Sequence, residues 1–155
     1  MREPDLPVAS HDDVSRELKL LVDRREDLVT TRTATVNRLL WRVHELDPGW
    51  APPAKSLNLA KHQQALQARL ESVPEGGVVK LVAELARDEL AEVVELTGKI
   101  NVLAKRIETR TREVAPTLLT MPGVGPLIAA KIVGEAAGVT RFKPKACRTP
   151  KPCAA

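Results

Sequence analysis

The sequence predicts an all-α, elongated molecule, and three observations predict it. The apolar residues are almost entirely Leu, Val, Ala and Ile, with one Phe, two Trp and no Tyr in 155 residues, a palette that suits helix seams better than a compact aromatic core. One stretch carries apolar residues in alternating steps of three and four for more than four heptads. Prolines and glycines stop the periodic stretches at a few points.

The elements follow in order. Residues 1–9, MREPDLPVA, hold two prolines and begin no pattern, and Ser10 or Asp12 then offers an N-cap. A first helix runs from there to about Leu46 on Val14, Leu18, Leu21 and Leu28, then Val36, Leu39, Val43 and Leu46, with a phase shift near its middle. Asp47-Pro48-Gly49 stops it. A Pro-rich connector, PGWAPPA, leads to a shorter helix from about Leu57 to Glu71, ended by the SVPEGG run at 72–77. The sustained seam comes next: Val82, Ala86, Glu89, Val93, Leu96, Ile100, Leu103, Ile107, Arg110 and Val114. A helix over 78–114 would be about 55 Å long at 1.5 Å per residue. That is too long for a small domain to bury, so the seam is expected to self-associate with a second copy. Pro116 ends or bends the helix, a short helix over Leu127 to Ala136 follows the turn at 122–126, and the last residues have no periodicity. The breaks divide the chain into an N-terminal helix (1–47), a connector with a short helix (48–77), a coiled-coil helix (78–115), a C-terminal module (116–143) and a disordered tail (144–155).

Lys and Arg number 24 against 20 Asp and Glu, a mild basic bias that suits a nucleic-acid partner without requiring one. Cys147 and Cys153 both lie in the tail with no ligand-spaced companions, so neither a disulfide framework nor a zinc site is expected and a reducing cytoplasm fits. No apolar run reaches membrane length, and no membrane partner is expected.

The turn Pro122-Gly123-Val124-Gly125-Pro126 gives two glycines freedom to take positive φ and lie close to another surface, and Pro126 suits the first turn of the next helix. Unblocked N–H groups at a helix start form a phosphate-sized nest. With Ala129, Ala130 and Ile132 facing inward, the stretch has the form of a helix-hairpin-helix, which grips nucleic-acid backbone without reading bases; a plain interhelix turn has the same composition. Lys131 and Arg141 nearby favour phosphate. On the first helix, Arg25 and Arg32 fall seven apart on the stripe of Leu18 and Leu39, with Arg24, Arg38 and Arg42 close by. Either the seam turns at mid-helix and these arginines are solvated or paired with Asp23, Glu26 and Asp27, or they form a basic strip for a polyanion. The acidic pairs Asp12-Asp13, Glu26-Asp27 and Asp88-Glu89 are adjacent on helices and diverge by about 100° around the axis, which suits solvated faces and caps. His11, His44 and His62 show no ligand spacing, and no Ser or Cys stands in a nucleophile context. No catalytic residue, metal site or cofactor is therefore assigned to this chain.

Two stretches together, "ELKLLVDRREDLVTTRTATVNRLLWRVHEL" (17–46) and "LLTMPGVGPLIAAKIVGEAAGVTRFK" (118–143), joined by a long heptad helix, resemble bacterial insertion-sequence transposases of the IS-one-ten type. These are DEDD transposases guided by a bridge RNA. The likeness covers roughly residues 2–143 and rests most on Arg32, Thr33, Asn37 and Arg38 combined with the Pro-Gly-Val-Gly-Pro turn. It implies DNA transposition by strand breakage and rejoining, DNA and guide RNA as partners, a bacterial cytoplasmic location, and magnesium bound by an acidic set in the family's RuvC-like domain. The positions matching that set would lie upstream of Met1, the family's serine region would lie beyond Lys143, and the sequence after Phe142 departs from the family's continuation. The expectation is therefore a non-catalytic middle fragment whose contacts to nucleic acid come from Gly123, Gly125, Lys131, Arg25, Arg32 and Arg38. Such binding would be weak, sequence-indifferent and salt-dependent, with no aromatic platform in view. The alternative is a stand-alone, non-enzymatic coiled-coil nucleic-acid-binding protein.

Overall fold

The computed structural model describes residues 13–53, 55–74 and 76–136, and the described residues contain no strand. The all-α expectation is met. The described residues form four α-helices: α1, Asp13–Leu46; α2, Ala60–Glu71; α3, Gly77–Val114; and α4, Pro126–Glu135. One short 3-10 turn, Ser56–Asn58, precedes α2, and another, Pro116–Thr120, precedes the hairpin turn. The caps offered at Ser10 and Asp12, Arg141, both cysteines and the 144–155 tail lie outside the described residues.

The fold is built on one long pair. Arg110 of α3 reaches Glu17 of α1, Arg32 of α1 reaches Thr97, and Arg42 of α1 reaches Glu89. As α1 numbers rise, α3 numbers fall, so the two helices run antiparallel. This supplies the partner that the seam of α3 lacked in the sequence reading: Val82, Ala86, Val93, Leu96, Ile100 and Ile107 are buried within a single chain. The reason given for expecting a second copy, a seam with no intramolecular partner of matching length, is met by α1, a helix of 34 residues against 38 in α3. Glu89 and Arg110, the two charges on the seam, are accommodated by ion pairs with Arg42 at 2.9 Å and with Glu17 at 2.9 Å. Leu90 and Thr111 are also buried on α3, although neither lies on the predicted stripe. Thr111 can sit there because its hydroxyl donates to the Ile107 carbonyl at 2.6 Å, the usual recourse of a buried helical Thr.

A third helix covers the pair at each end. At one end Leu39, Val43, Leu57, Leu66, Leu70, Ala86, Leu90 and Val93 form a cluster that includes α2. At the other, Leu18, Leu21, Val22, Ile107 and Ala130 close under α4. Full burial of a side chain such as Leu39 or Leu66 stabilises by about 1.5–3 kcal/mol, so these clusters anchor the molecule. Between them, among the described residues, Leu28, Leu96 and Ile100 form a smaller cluster, with Leu103 beside them. Among the described residues no third helix contributes to the cluster at this waist, and Leu28 is flanked on α1 by Arg25 before it and Arg32 after it.

Candidate nucleic-acid interface

Arg25 and Arg32 flank the waist on α1. Arg32 donates from Nε to the Thr97 hydroxyl at 2.7 Å and from an Nη to the Leu57 carbonyl at 2.9 Å. Both acceptors are neutral, and burial pushes the guanidinium down from its ordinary pKa. Arg25 is half-buried, and its Nε is enclosed without a hydrogen-bond acceptor among the described residues. Neither arginine has a carboxylate within 4.0 Å among the described residues, so the pairing with Asp23, Glu26 and Asp27 considered for them does not occur. Partly desolvated cations without counterions are costly unless an anion comes from outside.

Arg38 is different. It lies 3.7 Å from Glu89 and 3.6 Å from Glu92, and also donates to the Thr35 hydroxyl at 3.0 Å. Arg42 Nε sits 2.9 Å from Glu89 Oε1 but has no hydrogen bond of good geometry, so that contact is ionic rather than directional. These two arginines tie α1 to α3. Their charge is already matched.

At the far end, the hairpin turn presents Met121, Pro122 and Gly123 to solvent. Gly123 takes φ +81°, in the left-handed region that favours glycine. Gly125 does not share this need: it caps α4 at φ −83°, ψ 170°, an extended conformation open to any residue. Pro126 occupies the first turn of α4 as its fixed φ predicts. The Val124 N–H donates to the Met121 carbonyl at 3.1 Å, so one amide of the expected nest is used inside the turn. Among the described residues no side chain caps the α4 N-terminus. Ala129 and Ala130 are fully buried as expected, but Ile132 is half-exposed; Val133 and Gly134 turn inward in its place. Lys131 is held by Glu26 at 2.7 Å, and this bond raises its pKa. A matching contact joins Lys19 to Glu135. Lys131 therefore docks α4 on α1 through a solvent-exposed ion pair.

The six sequence-predicted residues thus do not form one site. Arg25 and Arg32 share the waist, Gly123 and Gly125 form the exposed turn beyond α4, and Lys131 and Arg38 serve interhelix ion pairs. Residues that sequence reasoning passed over adjoin Arg32. Lys55, with φ +61°, and Ser56 and Asn58 border the same hollow as Arg32, and Trp41 stands 74% exposed on α1. Trp41 falls off the stripe of Val36, Leu39 and Val43, and that displacement was the available signal for an outward aromatic ring. Among the described residues no group of three or more His, Cys, Asp or Glu side chains could hold a metal ion. The magnesium that the family resemblance implies therefore finds no fitting ligand set among them. No described helix is long and apolar enough to cross a membrane.

Comparison of the chain with protein-family models, curated proteins and solved structures returned no match.

Proposed function

We propose that this chain is the coiled-coil and hairpin part of an insertion-sequence transposase of the IS-one-ten type, and that its task is to hold nucleic acid by the phosphate backbone. The observation that carries this reading is the waist: two half-buried arginines, Arg25 and Arg32, with no carboxylate partner among the described residues. A polyanion is the ligand that best offsets such a pair, because phosphate oxygens accept several guanidinium hydrogen bonds at once. The exposed Gly123 turn before the uncapped start of α4 supplies a second, weaker phosphate contact. DNA and a guide RNA are the proposed partners, in the bacterial cytoplasm.

The intramolecular closure of the α1/α3 seam also suits the second reading, a stand-alone nucleic-acid-binding module, because the long pair has its own core. Both readings predict the same binding, and fluorescence anisotropy of the full chain on duplex DNA and structured RNA over a salt series tests them together. Strand breakage is expected of neither reading, since two-metal chemistry needs clustered carboxylates and no such group is found among the described residues. Incubating the full chain with supercoiled DNA and magnesium separates a holding role, which leaves the DNA intact, from a cutting one, which nicks it.

A further inference from the structure

Beside α1, where the connector folds back before α2, lies an open hollow of about 420 Å³. Its only ionisable lining residues among those described are Arg32 and Lys55, both cationic. A guanidinium carries five N–H donors; Thr97 and Leu57 engage two of those on Arg32, so the others remain for a ligand. Ser56, 7% exposed, also lines the hollow, and its hydroxyl is buried without a hydrogen-bond partner among the described residues. A native protein seldom leaves such a group unmet. The rest of the lining includes amides from Asn37 and Asn58 and apolar surface from Leu40, Pro52 and Pro53. Cationic, hydrogen-bonding and apolar surfaces in one small concavity fit an anionic ligand with a flat apolar body.

The hollow is not isolated. Asn37 and Leu40 also border a shallow depression on the other side, which contains Trp41 and His44. The two rings meet edge to face with centroids 6.3 Å apart, which braces the indole while leaving it 74% exposed. A large exposed aromatic surface next to a cationic hollow is the arrangement that single-stranded nucleic acids use, since every base offers a face for stacking once it is unpaired. Duplex bases, stacked on one another, can enter neither feature.

We propose that this face of α1 holds two successive unpaired nucleotides of a single strand: one sits in the hollow with its phosphate at Arg32 and Lys55, and the base of its neighbour stacks on Trp41. The proposal deepens the nucleic-acid reading above and rests on it for the strand, although the hollow alone would also take a free nucleotide. Asn37 and Asn58 meet the edge of the enclosed base, and Ser56 supplies a hydroxyl beside it. Arg32, Thr33 and Asn37, which carried the family resemblance, all line this hollow.

The test uses the full chain with short oligouridylate, short oligothymidylate, a duplex of equal length and a nucleoside monophosphate. Trp41→Leu and Lys55→Glu change exposed side chains and leave the clusters intact. The proposal expects either single strand to bind more tightly than duplex, each variant to weaken single-strand binding about tenfold, and Trp41→Leu to leave duplex binding unchanged. Loss with oligouridylate alone supports RNA as the source of the strand; loss with both supports either sugar. Single-strand binding that both variants leave unaltered overturns the proposal while the nucleic-acid reading stands, as does a preference for duplex. Shifts of the Lys55 to Asn58 amide resonances with the monophosphate, without binding of any strand, keep the hollow as a nucleotide site and overturn both the Trp41 step and the nucleic-acid reading. No response to any of the four ligands at low salt overturns both proposals.

Discussion

Arg32 shows how one side chain can serve fold and ligand together. It fastens α1 to α3 through Thr97 and to the connector through Leu57. Arg32→Met would remove both bonds but relieve the burial of a charge, and Thr97 and Leu57 keep other partners in Val93 and Gln63. The expected net loss is about 1–2 kcal/mol in urea unfolding, less than two charged hydrogen bonds would suggest. Asp47 gives a pH prediction. The Arg69 guanidinium beside it, and then the Gly49 N–H, hold its carboxyl below the usual range. A depressed carboxyl stabilises the fold above its unfolded pKa, and the contribution fades as pH falls through the lowered folded value. Arg69 also stacks 4.5 Å over Trp50, so in a Trp41→Phe background indole fluorescence should change with an acid midpoint below that of a free aspartate. Asp47→Asn should abolish that step. The sequence marked Arg25 and Arg32 as anomalous, because a charge on an apolar stripe stands out. It could not reveal that the acceptors facing Arg32 are neutral, since Thr97 lies 65 positions from Arg32 and such pairings are set by packing.

Two glycines illustrate what elements require. Gly98 lies inside α3 with open space where a Cβ would go. Gly98→Ala should therefore raise stability by about 0.5–1 kcal/mol through lower backbone entropy in the unfolded chain. Gly134 lies where α4 crosses α1, and a Cβ there would stand 3.1 Å from the Cα and Cβ of Lys19. Gly134→Val should destabilise by about 1–3 kcal/mol by pushing α4 off α1, read as a lower unfolding midpoint and, in hydrogen exchange, as faster exchange in α4 than in α2. Most helix limits were legible to within a residue or so, because Asp47-Pro48-Gly49, Gly76-Gly77 and Pro116 interrupt the backbone pattern locally; the start of α2 was not, since Leu57 lies in a 3-10 turn and the helix begins at Ala60. The cover of the α3 stripe was not. Periodicity reports that a face is apolar, and the phase shift near the middle of α1 concealed that this helix matches the stripe along its length. The same limit applies to α4, where the exposed Ile132 and the buried Gly134 reverse what hydrophobicity alone implies.

At the scale of the molecule, three helices pack at each end and two at the waist, which places the least covered part of the core next to the unmatched arginines. Because α1 fills the seam, Ile100→Asp should unfold the chain, at a cost of roughly 3 kcal/mol or more for an unpaired buried carboxylate, rather than release folded monomers from a dimer. Circular dichroism with sedimentation distinguishes the two outcomes: lost helicity follows from an intramolecular seam, retained helicity with halved mass from an intermolecular one. The central claim is that the waist meets phosphate, and its most direct measurement is the salt dependence of nucleic-acid binding by the full chain. The account predicts that log K falls linearly with log salt concentration and that Arg25→Gln reduces the slope by about one while leaving helicity unchanged. A slope that Arg25→Gln leaves intact, or the absence of binding at low salt, would contradict it.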